Sequence, residues 1–191
     1  DVPGEDPHTP KDGPWWSHML WFLVRRSKSE LQTLREKYAP DLLKDRVLCF
    51  VGKYDFVWLG VLAVLLVVAG LLIGGWLMAL QMILWGMCAR LVFMWHSTWA
   101  VNSVCHLVGY RNYKDTGDDS RNNFVVAMLT FGEGWHNNHH GAQVRANHGF
   151  HKWWEFDASY VAIRLLWMIG LAWGIKDNFR VTQPKQPAAA G

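Results

Sequence analysis

Charge is missing from the middle of this 191-residue chain: none of its 19 Lys and Arg or 16 Asp and Glu falls between Phe56 and Ala89, a run of 34 residues. That gap excludes a soluble globule of even composition, because a small core seldom needs so long an uncharged stretch. Cysteine is scarce: Cys49, Cys88 and Cys105 stand in apolar settings, which excludes a disulfide-stapled secreted scaffold. Strong basicity is lacking too. The net charge is +3 and the cations are dispersed over both flanks, so no nucleic-acid partner is expected. The opening DVPGEDPHTP begins without Met and has no apolar signal-peptide core, so it is expected to follow a removed segment or to begin a piece of a longer chain. Disorder is excluded by what remains, 51% hydrophobic residues and 13 Trp.

Composition divides the chain into four zones. Residues 1–55 are polar and basic, with an apolar island from Trp15 to Val24 and a helical stretch, SELQTLREKYAPDLLKD, that Ser29 is expected to cap and Pro40 to interrupt. Residues 56–95 are almost wholly apolar. A bilayer core about 30 Å thick takes roughly 20 helical residues, so this zone is long enough for two spans. Gly74 and Gly75 sit at its midpoint, and Trp58, Trp76 and Trp95 fall at the span ends where amphipathic rings favour the interface. A transmembrane helical hairpin turning at 74–75 is predicted. Nine Lys and Arg precede the hairpin and nine follow it, so the positive-inside rule places both termini on the cytoplasmic side. Residues 96–180 are rich in His, Asn and Trp, and their apolar stretch Val161–Ile175 carries Arg164, which suits an interfacial or docking helix. The Pro- and Ala-rich tail over 181–191 reads as disordered. The fold class expected is an all-α integral membrane protein, a transmembrane hairpin with a cytoplasmic, helical, His-rich cap.

The chemistry concentrates between Asn102 and His140, in NSVCH and HNNHH. On a helix, Asn102 and His106 point within about 40° of each other, and His136, His139 and His140 span an arc of about 100°. Imidazoles so placed can converge on a metal ion. Spacing does not choose among Fe, Cu, Ni and Zn, although a structural zinc site is disfavoured because Cys105 points about 100° away from His106. Glu133 could hold the second nitrogen of a ligating His, and His96 suits a similar supporting role. Arg90, near the end of the second span, either snorkels to the head groups or, with Trp99 and Trp135, lines a substrate opening. His8, His18, His148 and His151 read as solvent or supporting groups.

The stretches HSTWAVNSVCHLVGYRNY, DDSRNN and GEGWHNNHH, with EDPHTP and WWSHMLW before them and HGFHKWWEFDASYVAIRLLWMIGLAW after, resemble the membrane fatty acyl desaturases of the stearoyl (delta-9) type. The likeness is greatest to their bacterial, cyanobacterial and plant branch, and it covers nearly the whole chain. It implies an enzyme with two Fe ions that uses O2 to remove two hydrogens from adjacent methylenes of a long-chain acyl-CoA or acyl-lipid. By the same resemblance His106, His136, His139 and His140 are metal ligands and Asn102 reaches iron through water. Chemistry agrees, since no side chain abstracts hydrogen from an unactivated methylene and a metal with O2 must do so. The family's two earlier histidine boxes, H-x-x-x-x-H and H-R-x-H-H, are absent here. The chain is therefore expected to be the C-terminal part of such an enzyme, inactive by itself. The H-P-G-G motif of fused cytochrome b5 domains is also absent, so a separate electron donor, a ferredoxin or a cytochrome b5-like protein, is implied.

Two other readings remain. A membrane di-iron hydroxylase would use similar histidine clusters, and only the resemblance separates the two. A membrane haem or metal carrier would need axial ligands within the bilayer, and no His lies inside the apolar zone.

Overall fold

The structure, a computed structural model, describes residues 9–24 and 26–177. His8 and the tail over 181–191 lie outside the described residues. Eight α-helices follow in order among those described: α1 Pro14–His18, α2 Lys28–Tyr38, α3 Arg46–Lys53, α4 Asp55–Ile83, α5 Arg90–Leu107, α6 Phe124–Leu129, α7 His136–Gly141 and α8 Ala158–Met168. No strand forms among the described residues, only isolated bridges from Asn122 to Tyr110 and to Trp135. The described residues form two compact units, Met19–His96 in one and residues 9–18 with 97–177 in the other.

In the unit Met19–His96, α2 starts two residues earlier than expected. Ser27, not Ser29, is the cap: its hydroxyl accepts from the Glu30 amide and the Glu30 carboxylate accepts from the Ser27 amide. The spacing decides this, since a capping box needs Glu three residues after the cap. The helix ends at Tyr38, with Ala39 as its C-cap before Pro40, whose ring disfavours helical backbone at the residue in front of it.

Helix α4 is broken at Gly74 and Gly75, where Gly75 takes φ 73°, a left-handed backbone that costs glycine little. A Cβ on Gly70 would overlap the backbone of Ala79, and Gly86 lies against the Leu66 side chain, although residues 66 and 86 of a straight helix would stand about 30 Å apart. A π-helical turn, Leu84–Ala89, then leads into α5. Helix α5 continues past Trp95, the expected span end, to Leu107, so Asn102 and His106 share one helix as expected; neither Pro nor Gly intervenes before Gly109, which takes φ 141°. The helical run Asp55–Leu107 has a mean hydropathy of 2.9 in its most apolar window, of which 6% is buried within the protein. Length and composition suffice for crossing a membrane.

The other unit is built around the end of α5. Val101, Cys105 and Val126 form its apolar centre, and Trp135 is fully buried beside Phe124 with its indole N–H donated to the Phe156 carbonyl at 2.8 Å. Helix α8 is shorter than the expected Val161–Ile175. It starts at Ala158, where Asp157 accepts from the Tyr160 amide, and it ends at Met168 before Gly170 and Gly174, both with positive φ. Its Arg164 bonds Asp177 at 2.9 Å and lies over the Trp167 ring.

Candidate metal centre

Helices α5 and α7 bring three imidazoles to one point. His136 Nε2 lies 3.0 Å from His106 Nε2 and 3.1 Å from His140 Nε2, and the ligand atoms of the three all fall within 4.8 Å of one another. Metal–nitrogen bonds of about 2.1 Å place two neighbouring ligand nitrogens at right angles about 3 Å apart, so these separations fit a single ion. His136 and His140 are one turn apart on α7, and His106 faces them from the last turn of α5.

The two residues between the histidines hold α7 in place. Asn137 and Asn138 are buried. The Asn137 amide oxygen accepts from the backbone of Asn112 and Tyr113 at 2.8 Å each, while its NH2 donates to the Tyr113 and Ser120 carbonyls. Asn138 accepts from Asn112 and Asn122 and donates to the His148 carbonyl and to Glu155. The pattern H-N-N-H-H therefore turns its amides to the interior and the imidazoles of His136 and His140 to the site. Glu155, fully buried, receives hydrogen bonds from the Tyr110 hydroxyl, Asn112, Asn138 and the amides of His151 and Lys152.

A carboxylate orients one of the three imidazoles. Asp118 Oδ2 accepts from His140 Nδ1 at 2.5 Å, which leaves the lone pair of that ring on Nε2, toward the other two imidazoles. Burial alone would raise the Asp118 pKa, but hydrogen bonds from Ser120 and the neighbouring His140 outweigh it and hold the carboxyl well below its usual range. Burial, reinforced by His140, His106 and His139, pushes His136 down to about 2, and burial with His148 and His140 pushes His139 down to about 4. Both rings are neutral near pH 7, the form that binds metal.

The expected residues fall into several places. His139 does not join the three: its ring stands 6.1 Å from His136 and 5.6 Å from His140 but 4.5 Å from His148. A one-residue step of about 100° on the helix carries it away from His140. Asn102 is half-buried one turn before His106. Glu133 is exposed, and the carboxylate on a histidine ring is that of Asp118. Trp135 is a core residue, and Trp99 is half-buried with the His18 ring at its edge. Arg90 and His96 belong to the unit Met19–His96, where Arg90 is exposed and donates to the Gly86 carbonyl at 3.1 Å and His96 borders a surface groove with Leu84, Trp85, Cys88 and Phe93. Asp118, Glu155, Asn137 and Asn138 were not singled out by sequence reasoning. The placing of two asparagines between the histidines was the signal available.

The family described as fatty acid desaturase matches residues 1–141. The sn-1 stearoyl-lipid 9-desaturase of Anabaena variabilis is 43% identical over 171 residues, 90% of this chain and 58% of that protein. The sn-2 palmitoyl-lipid 9-desaturase of Nostoc sp. (strain 36) is 39% identical over 186 residues, 97% of this chain and 60% of that protein. The icosanoyl-CoA 5-desaturase of Limnanthes douglasii is 43% identical over 172 residues, 90% of this chain and 45% of that protein. The chain thus spans about three fifths of the two 9-desaturases it matches. The match takes in α5, Asp118 and the whole of α7, and the chain belongs to the fatty acid desaturase family.

Proposed function

We propose that this chain is part of a membrane-embedded, O2-dependent desaturase that introduces a cis double bond, at the delta-9 position, into a long-chain acyl group carried on a glycerolipid or as a CoA thioester. The observation that carries this reading is the convergence of His106, His136 and His140 within sequence that matches the desaturase family. The lipid-linked carrier is favoured because the two 9-desaturases cited above act, by their names, on stearoyl- and palmitoyl-lipid.

Two iron ions with O2 would supply the abstraction of hydrogen from unactivated methylenes. Asn102, His106, His136, His139 and His140 would hold them, and neutral imidazoles, a carboxylate-oriented tautomer and right-angle nitrogen spacings suit that task. Asp118 keeps His140 turned inward, and the buried asparagines of α7 keep the donors from rotating away. Two electrons from a separate ferredoxin or cytochrome b5-like donor, with two protons from solvent, would complete the reduction of O2 to two waters as the acyl chain loses two hydrogens.

Residues 56–95 form the membrane hairpin, turning at Gly74 and Gly75, with both flanks and the histidines in the cytoplasm. The break at those glycines and the equal split of nine cations on either side support it. Alkaline phosphatase fused after Gly75 is expected to be active, and fused after Asp55 or Asp118 inactive; the opposite pattern rejects the topology.

Product analysis tests the activity. The full-length protein in a desaturase-deficient host should yield acyl chains two hydrogens lighter, with the bond located by mass spectrometry of disulfide adducts. Chains heavier by one oxygen would establish the hydroxylase instead.

A further inference from the structure

His139 and His148 form a second pair of imidazoles, apart from the three that converge. Their centroids lie 4.5 Å apart, close to the 4.4 Å between His136 and His140. Imidazoles bound to one ion at right angles, with bonds of about 2.1 Å, have centroids about 4.5 Å apart. The pair thus has the spacing of two ligands on a common ion. His139 Nδ1 is buried and, among the described residues, has no hydrogen-bond partner. A buried nitrogen left so is costly unless something else engages the ring.

The backbone at His148 is fixed from both sides. Its amide donates to Asp157 at 2.8 Å, and its carbonyl accepts from Asn138 at 2.8 Å; both partners are buried. The next residue has to be glycine, since a Cβ on Gly149 would overlap the Glu155 carbonyl and crowd Asp157 and Trp135. Phe150 then takes φ 60°, a strained setting for a bulky residue that only a firmly held loop sustains. A half-buried surface histidine needs none of this. His148 also borders a cavity of about 240 Å³ with Tyr113, Arg145 and Asn147, and the Asn147 amide oxygen is buried there without a partner among the described residues. Polar side chains of Asn138, Arg145, Asn147 and His151 thus share the cavity wall with His148.

We propose that His148 is a metal ligand, sharing with His139 an iron separate from the one held by His106, His136 and His140. This rests on the desaturase reading and adds to it a histidine outside the H-x-x-H-H motif.

The test uses the full-length protein in detergent, loaded with 57Fe and characterised by iron content and Mössbauer spectroscopy. His148→Phe keeps a ring against His139 and removes the nitrogens. It is expected to lose about half of the iron, with one quadrupole doublet fading, while His136→Phe loses the other. Retention of both irons in His148→Phe, with iron lost in His136→Phe, overturns the assignment of His148 and leaves the desaturase reading standing. Retention of both irons in His136→Phe defeats that reading and the assignment with it. Footprinting of the unmutated protein with diethyl pyrocarbonate provides a readout that does not depend on a variant folding. With iron bound, carbethoxylation of His148 should slow at least tenfold relative to chelator-stripped protein, with His151, on the same cavity wall, as the internal reference. Equal rates at His148 in the two forms overturn the proposal.

Discussion

Alanine at position 136 is expected to remove the iron held by the three converging histidines and, with it, all measurable desaturation. His136 is the middle member: its Nε2 is the atom within 3.0 Å of His106 and 3.1 Å of His140. Without it the two outer imidazoles remain, 5.7 Å apart between centroids, and the set falls to two nitrogens. Loss of a partner that merely supports a ligand weakens metal binding about 10- to 100-fold, so loss of the central ligand should exceed about 100-fold. The apo fold should survive, because burial and neighbouring imidazoles already disfavour charge on this ring and the bonds that anchor α7 come from Asn137 and Asn138. Iron content after dialysis against a chelator, with circular dichroism as the check on folding, decides the matter. A His136→Ala protein that keeps its full iron through dialysis would remove the three histidines from the proposed centre.

The parts legible in the sequence are those that depend on local pattern. Two glycines at the midpoint of an uncharged run mark the place where helical backbone is most easily interrupted, and Gly74 and Gly75 are where the helix breaks. The i, i+4 pair His136 and His140 likewise needs only helical spacing to share a face. Features set by partners distant in sequence were out of reach. Asp118 meets His140 across 22 residues and Glu155 meets Tyr110 across 45, and nothing in the neighbourhood of either acid marks it as bound. Spacing alone places His139 on the same arc as His136 and His140, and the separation of its ring from theirs, beside His148 nine residues on, depends on that more distant partner. Local chemistry also misled at Ser29, where the competing Ser27 has Glu30 at the better spacing, and at α8, where Gly170 ends a helix that apolar composition would have continued.

Glu155→Ala should be the most destabilising single change in the unit that carries the histidines. The carboxylate is fully buried and takes five hydrogen bonds, three from side chains and two from backbone amides. Each buried donor left without an acceptor costs about 1–3 kcal/mol, and water entering the cavity will satisfy some of them. A net loss of about 4 kcal/mol is expected, a large part of the roughly 5–15 kcal/mol that holds a typical domain together. Glu155→Gln should lie between, since its amide oxygen serves one side of the network while its NH2 confronts donors on the other. The damage would spread to the metal centre along a short path: Asn138 donates both to Glu155 and to the His148 carbonyl, and it sits on α7 between His136 and His139. For a chain of this size about 4 kcal/mol corresponds to roughly a 10 °C fall in the unfolding temperature, read in detergent by a thermal-shift assay on full-length protein. Iron content should fall with it. If Glu155→Ala melts within about 2 °C of the unmutated protein, the carboxylate is not the hub of this network, and the rigidity of α7 has to come from Asn137 and its contacts with Asn112, Tyr113 and Ser120 alone.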